Sequence, residues 1–297
     1  MSESFDSSQP VGLIGLGAMG RGVASNLLSK GFQVVGRDIN PEAMKWLQDQ
    51  GGESATSLEH MAAKCKVVIS HVVNDAQTES VLLGKDGIVP FLKPGSTIIT
   101  CSTMPPAYAR ALSDRLAEKN IHYIDAPVSG GRVGAEKGTL TVMAAAPKGV
   151  FERMRPLLHA MGSKLFHLGE EPGKGSQMKV INQLLCGVHI AVAGEALAMA
   201  KQNGLPLDTT LEVLMSGAAG SWMLGDRGKR MVSGSFDDVA SAVDIFVKDL
   251  GLVMDAARTS KFPAHLAHTA FLQFTQASSR GWGQQDDSAV MKNYTEK

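Results

Sequence analysis

At 297 residues the chain has room for two domains, and 44% hydrophobic against 20% charged residues suits a globular protein with buried cores. Lys and Arg total 29, as do Asp and Glu, so no basic stripe invites nucleic acid and no charge block reads as a tail. Cys65, Cys101 and Cys186 have no CxxC or His-rich spacing, which gives no metal motif and suits structural thiols in a reducing compartment.

The opening MSESFDSSQP is polar and acidic, unlike a secretory leader; it reads as a frayed arm of a cytoplasmic protein. Strand patterns then fall at 11–15, 33–36, 67–71, 97–101, 122–124, 141–144 and 164–167. Helices are expected between several of them, notably over 41–50 and 105–119, each with proline at an early position. Strand–helix alternation implies a mostly parallel sheet covered on both faces. After Gly169-Glu170-Glu171-Pro172-Gly173 the β-branched runs thin out, and helical periods take over at 176–203, 208–215, 240–260 and 263–279. The expected organisation is an α/β domain over residues 1–170 and an all-helical domain over residues 171–297.

The first strand breaks into Gly15-Leu16-Gly17-Ala18-Met19-Gly20 and a helix follows at once. In that setting the first glycine permits a tight turn, the second lets backbone approach a pyrophosphate, and the third allows helix and strand to pack closely. The helix N-terminus then offers N–H groups to the anion. Asp38, at the end of the second strand, is suited to accept hydrogen bonds from an adenosine ribose and to repel a 2′-phosphate. Arg37 beside it would greet a phosphate, but the balance goes to NAD over NADP.

Two later segments carry chemistry. Asp125-Ala126-Pro127-Val128-Ser129-Gly130-Gly131 follows a strand, where open α/β sheets bind ligands; Ser129 with two glycines suits a carboxylate, and otherwise reads as a flexible hairpin loop. Gly173-Lys174-Gly175-Ser176-Gln177-Met178-Lys179-Val180-Ile181-Asn182-Gln183 opens the longest helix and puts Lys179, Asn182 and Gln183 on one side. A lysine whose pKa is lowered by burial can take the proton of an alcohol losing hydride; a lone lysine at a helix end more often snorkels to water. The rest of that helix is apolar on every arc, including Met178, Ile181, Leu185, Val188 and Val192, and is therefore expected to be buried. Its small-residue arc, Gly187, Ala191, Gly194 and Ala198, invites a close second helix, which suggests a homo-oligomer.

Together these segments resemble the β-hydroxyacid dehydrogenase family, which includes 3-hydroxyisobutyrate dehydrogenases and tartronate semialdehyde reductases, over nearly the whole chain. The resemblance implies a Rossmann-type doubly wound domain followed by an all-α domain, NAD as cofactor and a small hydroxy acid as substrate; the cysteine spacing, the charge balance and His189 and Glu195 in the long helix give no expectation of a metal, nucleic acid or membrane partner. GLGAMG is similar to the family's cofactor motif, and with it Gly15, Leu16, Gly17, Ala18, Met19, Gly20, Asp38, Val72, Val73, Thr103 and Lys248 become expected cofactor contacts. The substrate motif falls on Ser129, Gly130 and Gly131. The catalytic motif falls on Lys179 as general acid/base with Asn182 and Gln183, which with Ser129 form the expected catalytic set; Lys179 and Asn182 also touch substrate. Asn182-Gln183 departs from the Asn-Asn frequent in the family, which weakens an assignment to 3-hydroxyisobutyrate. SerTrpMet at 221–223, the 241–250 segment and Asp286-Asp287-Ser288-Ala289-Val290 resemble the branch that oxidises L-threonate to 2-oxo-tetronate. Alternatives are 3-hydroxyisobutyrate or tartronate semialdehyde chemistry, and a catalytically dead Rossmann binding module.

Overall fold

The computed structural model describes residues 5–296; residues 1–4 and 297 lie outside the described residues. The chain divides into two compact units, Met1–Lys179 and Val180–Lys297. The division falls inside a helix, later than the change of pattern near residue 170.

The first unit holds strands β1 (Val11–Ile14), β2 (Val34–Arg37), β3 (Glu53–Ser54), β4 (Val67–Ser70), β5 (Thr97–Thr100), β6 (His122–Asp125), β7 (Val128–Ser129), β8 (Thr141–Ala144) and β9 (Lys164–His167). Six form one parallel sheet in the order β3-β2-β1-β4-β5-β6. Its inner strands β1, β4 and β5 are buried throughout because both faces are covered. In β1, Val11 and Leu13 enter the core on one face and Ile14 the core on the other; β4 splits Val67 and Ile69 from Val68 the same way. The cover is α1 (Ala18–Ser29), α2 (Pro41–Asp49), α3 (Leu58–Lys64), α4 (Asp75–Leu83), α5 (Pro106–Ala117), α6 (Gly131–Glu136) and α7 (Lys148–Met161). Side-chain caps start three of them: Asn40 accepts from Glu42 N–H, Ser57 from His60 N–H and Asn74 from Gln77 N–H.

Three details differ from the sequence reading. The strands at 141–144 and 164–167 leave the main sheet and form a second one, β7-β8-β9, in which β7 runs antiparallel to β8. The Ser129 segment is therefore a strand leading into α6 rather than a hairpin loop. The N-terminal arm is anchored from Phe5, which is buried, stacks on Phe32 and donates its N–H to Arg153.

Helix α8 (Lys174–Gln202) carries the chain into the second unit, which is completed by α9 (Leu207–Ser216), α10 (Trp222–Ser233), α11 (Val243–Ser260), α12 (His265–Ala277) and α13 (Lys292–Thr295). Contrary to expectation α8 is not buried all round. Within the second unit its Gly187 faces Leu250 and its Gly194 faces Met291, at separations an added Cβ would close to 2.8 and 3.2 Å. The small-residue arc is thus filled by the chain itself. The arc containing Ile181, Leu185 and Val192 is about half exposed.

Asp286 and Asp287, which charge alone would place in solvent, are fully buried. Arg227 grips Asp287 with two bonds of 2.7 and 2.9 Å, and Asp286 accepts from Arg230 at 2.7 Å and from Ala240 N–H at 2.9 Å. Trp222 is more than half exposed, so it belongs to no core.

Candidate active site

At the end of β1 the chain turns sharply, and Gly15 adopts φ +95° there. A side chain at Gly15 would lie 2.5 Å from the His71 carbonyl, and one at Gly20 would overlap the Gly15 carbonyl. Gly17 differs: a Cβ there meets nothing within 4 Å. It is the N-cap of α1, with no side-chain capping bond. Orphan N–H groups of a helix start therefore face open space beside an exposed Gly17 and Ala18, an arrangement that fits an anion. Met19 is half-buried; the Leu16 side chain is buried in the core, and the residue also lines the cleft beside the turn.

Asp38 is tied to this turn. Its Oδ2 accepts the Leu16 N–H at 2.6 Å and its Oδ1 the Asn40 N–H at 2.8 Å. Both oxygens keep lone pairs for a hydroxyl donor. Arg37 points elsewhere, to the Ala55 carbonyl. A cleft of about 550 Å³ runs between the turn and Asp38, lined also by Arg21, Asn40, Trp46, Arg132 and Glu136. Arg21 lies over the Trp46 ring, 5.2 Å from its centre. Arg132 and Glu136 come from α6, which lies against α1 because Gly22 has no side chain to strike Ala135 and because Asn26 donates to the Ala135 carbonyl. The cradle Ser129-Gly130-Gly131, at the start of α6, is thereby held to the same layer as the glycine turn. Gly130 and Gly131 have φ +132° and +60°, values that favour glycine.

On the other side of β1, β4 ends at His71. Its ring is held neutral, with a pKa lowered to about 4, first by burial and further by the charge of Lys179 when that amine is protonated. Nε2 is sealed from solvent with no hydrogen-bond partner among the described residues. Val72 leans on the Gly15 turn, Val73 is half exposed with its N–H on Gln77, and Thr103 is partly buried just beyond β5. β1 lies between β2 and β4, so the turn sits at the switch point where doubly wound sheets take ligands.

Lys179, on the second turn of α8, is 8% exposed. The helix start is held by Asp125, the last residue of β6: it accepts from Gly173 N–H at 2.9 Å, Ser176 N–H at 2.8 Å and Ser176 Oγ at 2.7 Å. Burial pushes the Asp125 pKa up, and these donors oppose the rise.

In the second unit, Asn182 donates to Gln183 Oε1 at 2.8 Å and to Cys186 Sγ at 3.3 Å. Gln183, 6% exposed, donates to Asp249, whose other oxygen meets Lys248 Nζ at 2.6 Å. The amides expected to serve the lysine are thus locked to one another and, through a buried carboxylate, to Lys248. Asp249 stands beside Lys248 in the 241–250 segment, but its partner Gln183 lies 66 residues away, a separation that leaves no local signal in the sequence. Among the described residues no group of three His, Cys, Asp or Glu side chains is placed to hold a metal ion.

The model of the NAD binding domain of 6-phosphogluconate dehydrogenase matches residues 10–169, and that of NAD-binding of NADP-dependent 3-hydroxyisobutyrate dehydrogenase matches residues 173–294. The chain is 44% identical over 285 residues to the L-threonate dehydrogenase of Cupriavidus necator, covering 96% of both proteins. It is 43% identical to that of Escherichia coli K12, over 96% of this chain and 94% of the relative. Among solved structures, a 3-hydroxyisobutyrate dehydrogenase from Salmonella typhimurium superposes with a TM-score of 0.92 at 43% identity, covering 96% of this chain and 99% of that one.

Proposed function

This chain belongs to the β-hydroxyacid dehydrogenase family, and from that membership we propose that it oxidises L-threonate at C2 to 2-oxo-tetronate, with Lys179 as general acid/base. It is an oxidoreductase that uses an NAD-type cofactor. The observation that carries the substrate is the 43–44% identity, over nearly full length, to curated L-threonate dehydrogenases.

The glycine turn and the uncapped start of α1 hold the pyrophosphate, and Asp38 accepts from the adenosine ribose. With its carboxylate fixed by two backbone N–H groups, Asp38 also repels a 2′-phosphate, which favours NAD. The nicotinamide, when bound, supplies the hydride acceptor. Val72, Val73, Thr103 and Lys248 contact that cofactor. Ser129, Gly130 and Gly131 take the substrate carboxylate. Neutral Lys179 removes the proton of the substrate hydroxyl and, protonated, returns it in reduction. Asn182 and Gln183 orient the hydroxyl, their own orientation set by Asp249. The enzyme acts in the cytoplasm. Two copies associate through the half-exposed arc of Ile181, Leu185 and Val192.

A second reading, 3-hydroxyisobutyrate, is favoured by the Salmonella structure. NADH formation across a panel of hydroxy acids, run with NAD and with NADP, separates them. L-threonate with NAD gives the highest kcat/KM on this account; a higher value for 3-hydroxyisobutyrate or glycerate overturns the substrate, and no turnover with any acid supports a binding module.

A further inference from the structure

We propose that Asp125 is a positioning residue for proton transfer: a single buried carboxylate that sets Lys179 relative to the Ser129-Gly130-Gly131 cradle. The inference rests on the reading of Lys179 given above and adds a residue to it.

Asp125 joins three pieces of the first unit. Its backbone exchanges two hydrogen bonds with Ala145, at 3.1 and 2.8 Å, which splices the end of β6 onto the small sheet. In that sheet β7, carrying Ser129, pairs with β8. Its side chain takes three donors from the start of α8: the N–H groups of Gly173 and Ser176 and the Ser176 hydroxyl. Asp125 and Ser176 are both buried. Gly175, between the two capped positions, lies so close to the strand ends that an added Cβ would stand 2.5 Å from the Asp125 carbonyl oxygen and 2.6 Å from that of Met143. Lys179 follows Ser176 by three residues, about one helical turn.

The chemistry of the three partners selects a carboxylate. All are donors, and an ionised Asp is acceptor-only. Asn removes the charge, and its NH₂ either opposes the two backbone N–H groups or forces the Ser176 hydroxyl to reverse its bond and accept. The negative charge also lies at the positive end of the α8 dipole. A capped first turn does not fray, so the lysine one turn on keeps a fixed distance from the strands that bear the cradle. Asp125 takes no proton from substrate; the proton passes from the substrate hydroxyl to Nζ of Lys179.

The test compares the parent with Asp125→Asn, Ser176→Ala and Lys179→Ala. Each folded variant is assayed for NADH binding by fluorescence, for kcat and KM, and for the primary isotope effect with substrate deuterated at the carbinol carbon. Asp125→Asn is expected to bind NADH as the parent does, to lose about 10- to 100-fold in kcat through misplacement of the reacting groups, and to show a larger isotope effect. Ser176→Ala moves the same way by less, and carries the test if Asp125→Asn does not fold. A folded Asp125→Asn or Ser176→Ala with parental kcat and isotope effect, whatever its melting temperature, overturns the proposal. If Lys179→Ala also turns over normally, the underlying reading has failed; if Lys179→Ala is inactive while the other two are normal, only the role of Asp125 has.

Discussion

His71 stays neutral because a charged imidazole there would lose its hydration and meet the positive form of Lys179. Its folded pKa, about 4, lies below the ordinary 6.5, so on acidification the unfolded chain takes up a proton before the native one does. Stability contributed by the neutral ring is therefore full above about 6.5 and is lost as pH falls toward 4, with a slope of at most ~1.4 kcal/mol per pH unit. Denaturant titrations between pH 7 and 4 are expected to show His71→Gln gaining on the parent as pH falls; parallel curves would contradict the burial argument. Asp249 matters through its partners: it is buried and joins Gln183 to Lys248. Asp249→Ala leaves the Gln183 amide and Lys248 without their carboxylate, and calorimetry should find a loss of ~1–3 kcal/mol together with a raised KM for the hydroxy acid. An unchanged KM would mean that the amides need no such support.

The glycine turn separates two effects that sequence alone merges. Gly20 is required by the contact of α1 with β1, since its Cβ would overlap the Gly15 carbonyl. Gly17 faces open space and is required only if something must approach its backbone. Gly20→Ala should therefore lower the melting temperature, whereas Gly17→Ala should melt near the parent yet bind NADH more weakly; a Gly17→Ala variant with parental affinity would remove the pyrophosphate from this turn. These positions were legible because a strand, a glycine spacing and a helix follow one another within twenty residues, and each leaves a local signature. β3 and β7, two residues each, leave none. The burial of α8 was misread because composition reports how apolar an arc is, and not whether a neighbour covers it: Gly187 and Gly194 are covered by the chain, Ile181 and Leu185 are not. Asp125, Asp249 and the Asp286–Asp287 pair were missed as anchors for a related reason. The helix-start donors of Asp125 lie 48 and 51 residues away, Gln183 lies 66 from Asp249, and Arg227 lies 60 from Asp287, beyond any helical or strand period.

For the whole molecule, α8 leaves an apolar arc at Ile181, Leu185 and Val192 that a monomer would hold in water. Sedimentation at micromolar concentration should find a dimer or larger, and Ile181→Glu with Leu185→Glu should dissociate it without unfolding either unit. A parent that sediments as a monomer would end that expectation. The central claim, that Lys179 moves the proton that accompanies hydride loss, is tested most directly by Lys179→Ala assayed for NADH formation from L-threonate alongside NADH binding. The account predicts a loss of about 10²–10⁴ in kcat with NADH still bound, because general acid–base help is of that size. Turnover near that of the parent would contradict it.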